Sequence, residues 1–153
     1  MRIALHAIGA AVLLMAAACN PVANLSQGES QIAQFHDRYA RGEYQAIYNA
    51  TGRQFREVTR ADQFTDLMRV INERLGALRS TERSGFNVNS TPGGTTTTVV
   101  MDSIYEQGAA REIFTFHGNG EDMELVGWNI QSDRLVYQLE VLAPPVEVQT
   151  PEQ

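Results

Sequence analysis

The sequence predicts an α+β fold in which N-terminal helices pack on one face of a four-stranded antiparallel meander sheet. Apolar residues recur at helical spacing up to Leu75, and after Gly76 the period of the pattern changes to two. Helices followed by consecutive strands with short turns, without alternation of the two, are typical of α+β domains with an antiparallel sheet. The length of 153 residues fits one domain.

The first 18 residues are predicted to be a signal peptide. Arg2 supplies a positive start, residues 3–15 are mostly apolar, and three alanines at 16–18 form a small-residue cleavage site. A spanning helix needs about 20 apolar residues, and the polar Asn20 comes too early for one. A permanent N-terminal membrane anchor is therefore the less favoured alternative.

The position of the single cysteine predicts lipid attachment. Cys19 directly follows Ala18, and residues 15–19 (MAAAC) resemble the lipobox of bacterial lipoproteins, in which the leader is cleaved before a lipid-bearing cysteine. Several acyl chains together give stable anchoring. By analogy with lipoprotein sorting, Asn20 favours the outer membrane. Because Ala16 stands where leucine is commonest, a plain signal-peptidase site remains the alternative, which would make the protein secreted or periplasmic.

Composition excludes several classes of protein. The chain has 12 basic and 18 acidic side chains, and its net charge is −6 without a basic run, which argues against a nucleic-acid partner. A lone cysteine excludes an intramolecular disulfide framework and a cysteine-rich zinc site. We expect no cofactor, and we expect attachment to the membrane through lipid.

The predicted organisation begins with a tether. Residues 19–28 are the lipidated N-terminus and a tether, because 21–28 is small, polar and non-periodic, and the folded domain spans 29–133. The first helix is predicted to start at Glu29 or Ser30 and to break at Gly42.

The strongest periodic pattern predicts a helix from about 60 to 75. Its apolar positions are 64, 67, 68, 71 and 75. Thr59 and Asp62 resemble a capping box at its start, and Gly76 is a suitable C-cap.

Four strands are predicted at 78–89, 95–106, 111–117 and 123–131. In the last strand, the alternation places Val126, Trp128 and Ile130 on one face. Residues 134–153 form a C-terminal extension. Its first part, 134–142, fits a strand or a helix, and the rest is Pro-rich, acidic and predicted to be disordered.

Four short motifs carry a resemblance to a known family. They are GEYQAIY at 42–48, LGALR at 75–79, GAAREIFTF at 108–116 and ELVGWNIQSD at 124–133. Together with the element order, they resemble the cystatin-like, or nuclear transport factor 2-like, α+β fold. More narrowly, they resemble a bacterial family of secreted and lipid-anchored domains of unknown function. The resemblance implies a one-sheet cone with a pocket between helices and sheet, and no established chemistry.

Two residues are candidates for catalysis. Asp102 shares a strand face with Val100 and Ile104, and burial there would raise its pKa and make it a general base. The favoured alternative is that this face looks to solvent. His117 ends a strand beside a Gly-rich loop, and a surface position is the ordinary expectation for both His117 and His36. Their spacing does not indicate a metal site.

Glu112 is predicted to lie at the rim of the sheet and to pair with Arg79 or Arg111. With no nucleophile–base pair evident, we predict a non-catalytic binding or interaction domain in the bacterial periplasm. The alternative is a small-molecule pocket enzyme of isomerase-like or hydrolase-like type using Asp102 or His117. A small ligand in the pocket and a homodimer through the exposed sheet face are further hypotheses.

Overall fold

The structure is a computed structural model that describes residues 21–135. The predicted signal peptide, Cys19 and nearly all of the C-terminal extension lie outside the described residues. Among the described helices, none is long and apolar enough to cross a membrane.

Helices precede a four-stranded antiparallel sheet, as predicted. The helices are α1 (Pro21–Ala40), α2 (Tyr44–Asn49), α3 (Arg53–Val58) and α4 (Ala61–Leu75). The strands are β1 (Leu78–Thr91), β2 (Gly94–Tyr105), β3 (Gly108–His117) and β4 (Glu124–Gln131), with a 3-10 turn at Gly120–Asp122 before β4. Every neighbouring pair is antiparallel and the sheet order is β1-β2-β3-β4, so the chain has the expected α+β meander.

The core lies between the helices and one face of the sheet, here called the inner face. On β2, residues at alternate positions from Thr95 to Tyr105 are buried, and the positions between them are more exposed. This is the alternation expected of an antiparallel sheet covered on one side. The helices contribute mainly aromatic and aliphatic residues to the core, among them Ile32, Phe35, Tyr39, Ile47, Phe55, Phe64, Met68, Ile71 and Leu75.

The predicted tether at 21–28 is wrong, because these residues form the first two turns of α1. They dock on the end of the sheet. Asn24 is 3% exposed and donates from Nδ2 to Oδ1 of Asn119 at 2.8 Å. Gly28 is buried against Phe116, where a Cβ on the glycine would lie 3.3 Å from the ring. Because this approach is too close for a large apolar side chain, the segment is small and polar and resembles a tether in the sequence.

The docking of Gly28 gives a test of this correction. We expect Gly28→Leu to lower the free energy of unfolding, because the added side chain must displace the fully buried Phe116. Overpacking costs about 1–3 kcal/mol, which offsets the gain of about 1 kcal/mol in helix propensity. Urea unfolding followed by circular dichroism measures the change. Ser26→Leu, at an exposed position of the same helix, is the control. A Gly28→Leu variant as stable as Ser26→Leu would contradict the docking of residues 21–28 and support the prediction of a tether.

Two predictions about the ends of α4 have different outcomes. The capping box is wrong: Arg60 is the N-cap, without a side-chain cap bond, and its guanidinium holds Asp62 at 2.8 Å. The C-cap at Gly76 is confirmed, since this residue has a φ of +75° and its N–H donates to the carbonyl of Asn72.

A bulge in β4 corrects the predicted face of that strand. The register shifts so that Phe116 faces Leu125, whereas Thr115 faces Gly127. One extra residue, Val126, is thereby inserted between the two pairs. Leu125 is consequently buried in the core together with the partly buried Trp128 and Ile130, and it takes the place that alternation had assigned to Val126.

Candidate functional site

Glu112 lies in the middle of the inner face, and its predicted position at the rim of the sheet is wrong. Its side chain is 0% exposed. The two arginines expected to pair with it bind elsewhere: Arg79 pairs with Glu106, and Arg111 pairs with Asp102. A buried carboxylate needs other donors to compensate for its lost hydration.

Side chains from α1, β2 and β4 supply those donors. His36 Nε2 is 3.0 Å from Oε2 of Glu112, and the hydroxyl of Ser103 donates to the same oxygen at 2.6 Å. The indole N–H of Trp128 donates to Oε1 at 3.3 Å. We call these four residues the Glu112 cluster. An ionised carboxylate only accepts hydrogen bonds, so its bond with His36 requires the tautomer that carries the hydrogen on Nε2.

The expected surface position of His36 is also wrong. It is 7% exposed, and its ring packs edge-on against those of Phe35 and Phe114 at centroid distances of 5.9 and 5.8 Å. The remaining exposure faces a groove between α1 and β1, where Glu29 and Arg83 form an ion pair at 2.7 Å.

Two tyrosines extend the polar environment of the cluster. Burial, together with the nearby charge of Glu112, raises the pKa of the Tyr105 hydroxyl far above its ordinary value. Burial and the neighbouring Tyr44 likewise raise the pKa of Tyr39, whose hydroxyl donates to the carbonyl of Gly76 at 3.0 Å. Both phenols therefore stay neutral at physiological pH and contribute as hydrogen-bond donors.

The Glu112 cluster thus connects α1 to the middle of the sheet. Its donors satisfy both carboxylate oxygens, and the Ser103 hydroxyl lies 2.8 Å from that of Thr81 on β1. Neither Ser103 nor Thr81 is bonded to His36 in the described network, so the cluster lacks the nucleophile–base hydrogen bond of covalent catalysis. Its clearest consequence is to fix the position of α1 on the sheet.

A separate cavity of about 190 Å³ lies between α1, α2 and the β3–β4 side of the sheet. On α1 it is lined by a stripe at i, i+3, i+4 and i+7. Buried apolar side chains form most of the remaining wall. The lining residues are Gln31, Gln34, Phe35, Arg38, Ile47, Ala50, Phe114, Phe116, Met123 and Leu125.

The two candidate catalytic residues lie outside this cavity. Asp102 is on the outer face of β2 with its side chain 50% exposed, and Arg111 Nε donates to its Oδ1 at 2.9 Å. That hydrogen bond lowers the pKa of Asp102, opposite to the shift a general base at neutral pH would need. His117 is half-buried at the end of β3, and its ring lies against the backbone of Gly94.

Within residues 21–135, no group of three or more His, Cys, Asp or Glu side chains is placed to hold a metal ion. No model of a known protein family matches the chain, and no curated protein matches it in sequence.

Sequence reasoning missed the Glu112 cluster, although one local signal pointed to it. Glu112 alternates with Phe114 and Phe116, which places its side chain on the core face. His36 similarly lies one helical turn after Ile32. Neither pattern shows that the two residues meet, because they are 76 positions apart in the chain.

Proposed function

We propose that this protein is a bacterial lipoprotein, attached through Cys19 to the periplasmic face of the outer membrane. Its domain binds a small molecule in the cavity between helices and sheet without catalysing a reaction on it. We also propose that the chain belongs to the bacterial family of secreted and lipid-anchored domains of unknown function that its sequence resembles.

The observation that carries the binding role is the lining of the cavity. Its described walls consist of apolar side chains, two glutamines and one arginine. Such a set excludes water from an apolar ligand and orients it through a few polar groups, as in ordinary small-molecule sites. It does not include a carboxylate, histidine, hydroxyl or thiol that would act as a base or nucleophile.

The start of α1 supports a domain held close to the membrane. Pro21 is the second residue after Cys19, and an extended chain covers at most about 3.6 Å per residue. A lipid on Cys19 would therefore lie within about 10 Å of a helix that Asn24 bonds to the loop at Asn119. Glu121 and Asp122 in that loop do not attract anionic headgroups, so attachment depends on the lipid.

Lipid attachment is tested by mass spectrometry and fatty-acid labelling in a bacterial host that processes lipoproteins. We expect the mature chain to start at Cys19, to carry the added mass of a lipid and to incorporate labelled fatty acid. Cys19→Ser should abolish the label completely, because no other thiol exists in the chain.

Asn20→Asp is the matched control for this test. It leaves the thiol in place, so we expect it to keep the label while moving the protein toward the inner membrane. An unmodified Cys19, or a mature chain that starts elsewhere, would contradict the anchor and leave a secreted or periplasmic protein.

Homodimerisation through the outer face of the sheet is a second proposal. Ile104 is 49% exposed there, next to the ion pair of Asp102 and Arg111. Sedimentation of the mature protein with and without Ile104→Asp tests it. We expect a dimer that the substitution dissociates, and a strictly monomeric wild type at high concentration would rule out this interface.

A further inference from the structure

The size of the cavity limits what its apolar part can hold. An apolar cavity of about 150 Å³ is sufficient for benzene, and this one measures about 190 Å³. Its inner wall contains Phe35 and Phe114, whose rings meet edge-on with centroids 5.3 Å apart. A single aromatic ring or a short branched alkyl chain therefore fits.

The polar side chains of the cavity mark its mouth. Gln34 is exposed and Gln31 and Arg38 are half-buried, whereas the phenylalanines of the wall are buried. The Gln31 side chain donates to the carbonyl of Met123 at 2.8 Å and is thereby held in place. A ligand would thus have its apolar end inside the cavity and its polar end beside these residues.

Arg38 is the charged group at this mouth. It forms no ion pair with any carboxylate of residues 21–135. The nearby Glu43 is already held by Arg41, with two hydrogen bonds of 2.9 and 3.0 Å. Besides those hydrogen bonds from Arg41, the charge of Arg38 helps to lower the pKa of Glu43, but no hydrogen bond joins the side chains of Arg38 and Glu43 among residues 21–135. The paired N–H donors of Arg38 can therefore meet another anion, and a carboxylate matches their geometry.

We infer that the cavity binds a small monocarboxylate with a single-ring aromatic or short alkyl body. The apolar body fills the space beside Phe35 and Phe114, and the carboxylate meets Arg38 at the mouth. This inference rests on the proposed binding function and adds the chemical class of the ligand. The Glu112 cluster contributes indirectly, because it fixes the helix that carries Arg38.

Equilibrium dialysis of the mature protein in detergent tests the inference, with empty micelles as the blank. The probes are benzoate, benzyl alcohol and benzylamine, which share a ring and differ in charge. We expect benzoate to bind about tenfold or more tightly than benzyl alcohol, since hydrogen bonds to charged groups are the stronger ones. Benzylamine, a cation, should bind more weakly still.

Variants locate the binding site. Arg38→Gln should reduce benzoate binding about tenfold or more and leave benzyl alcohol unchanged. Arg53→Gln makes the same change of charge at an exposed residue of α3 that pairs with Glu57 outside the cavity, and it should leave the binding of both probes unchanged. Ala50→Leu enlarges a side chain that lines the cavity, and it should weaken the binding of every probe.

The outcomes separate the inference from the proposed function. Equal binding of benzoate and benzyl alcohol, or equal effects of Arg38→Gln and Arg53→Gln, would contradict a carboxylate ligand and leave a cavity for neutral ligands. Benzoate binding that Ala50→Leu does not alter would also overturn it, because the site would lie elsewhere. If no probe binds, both the inference and the binding role fail, while the result for Cys19 stands by itself.

Discussion

Replacing Glu112 with alanine is expected to lower the free energy of unfolding by about 3 kcal/mol or more, because three buried partners lose their acceptor and each unsatisfied group costs about 1–3 kcal/mol. The substitution removes the acceptor of His36, Ser103 and Trp128 together. In the buried site these donors have no bulk water to replace it, so each bears a desolvation cost. Chemical denaturation followed by tryptophan fluorescence measures the loss, and Trp128 reports directly on the cluster.

The matched control is Asp102→Ala on the neighbouring strand. Asp102 forms an ion pair with Arg111, and both side chains are at least half exposed. Exposed pairs are screened by solvent and contribute little to stability, so we expect a small change. Ser103→Ala, which removes one donor of the cluster, should cost about 1–2 kcal/mol and remains measurable if Glu112→Ala does not fold. Equal effects of Glu112→Ala and Asp102→Ala would contradict the stabilising role of the cluster.

The contrast between these two carboxylates shows what the sequence could predict. The alternation of β2 and β3 correctly separates Asp102, beside Val100 and Ile104, from the core face. The same alternation places Glu112 with Phe114, yet an isolated carboxylate would be too costly to bury. Its burial is made possible by donors from three other elements, and that information is distributed over the whole chain.

The start of α1 was missed for a related reason. Helical periodicity is detected through large apolar residues, and residues 21–28 have few of them at core positions. Asn24 and Gly28 occupy those positions instead. The glycine lets the helix approach Phe116, and the asparagine is satisfied by Asn119. Both features depend on the sheet, so the local pattern alone resembles a tether.

The buried cluster and the cavity are connected through one helix. His36 and Arg38 lie two positions apart on α1 and therefore face different directions. The bond between His36 and Glu112 fixes the rotation of α1, and this rotation turns Phe35 and Arg38 toward the cavity. A buried polar network thus positions the proposed ligand site without touching the ligand. Loosening α1 is consequently expected to weaken binding as well as stability.

Gly76 carries the second large effect, because it occupies a conformation that other residues avoid. Its φ of +75° and ψ of −156° fall in a region almost restricted to glycine. A Cβ there would also lie 2.6 Å from Oε2 of Glu106, the oxygen that accepts from the N–H of Ala77. The residue joins α4 to β1, and its carbonyl accepts from Tyr39. Conformation and packing therefore both oppose a side chain.

We expect Gly76→Ala to cost about 2–4 kcal/mol, combining backbone strain of about 1–3 kcal/mol with the displacement of Glu106. Gly85→Ala is the control, because a Cβ there meets nothing closer than 3.8 Å and φ is not in the left-handed region. It should stabilise the protein by about 0.5–1 kcal/mol by reducing the entropy of the unfolded chain. Urea unfolding of both variants measures the two changes. Both substitutions alter the unfolded state similarly. A loss of stability in Gly76→Ala with a gain in Gly85→Ala would therefore assign the loss to the native conformation of Gly76. A Gly76→Ala variant that gains as much stability as Gly85→Ala would contradict this conformation.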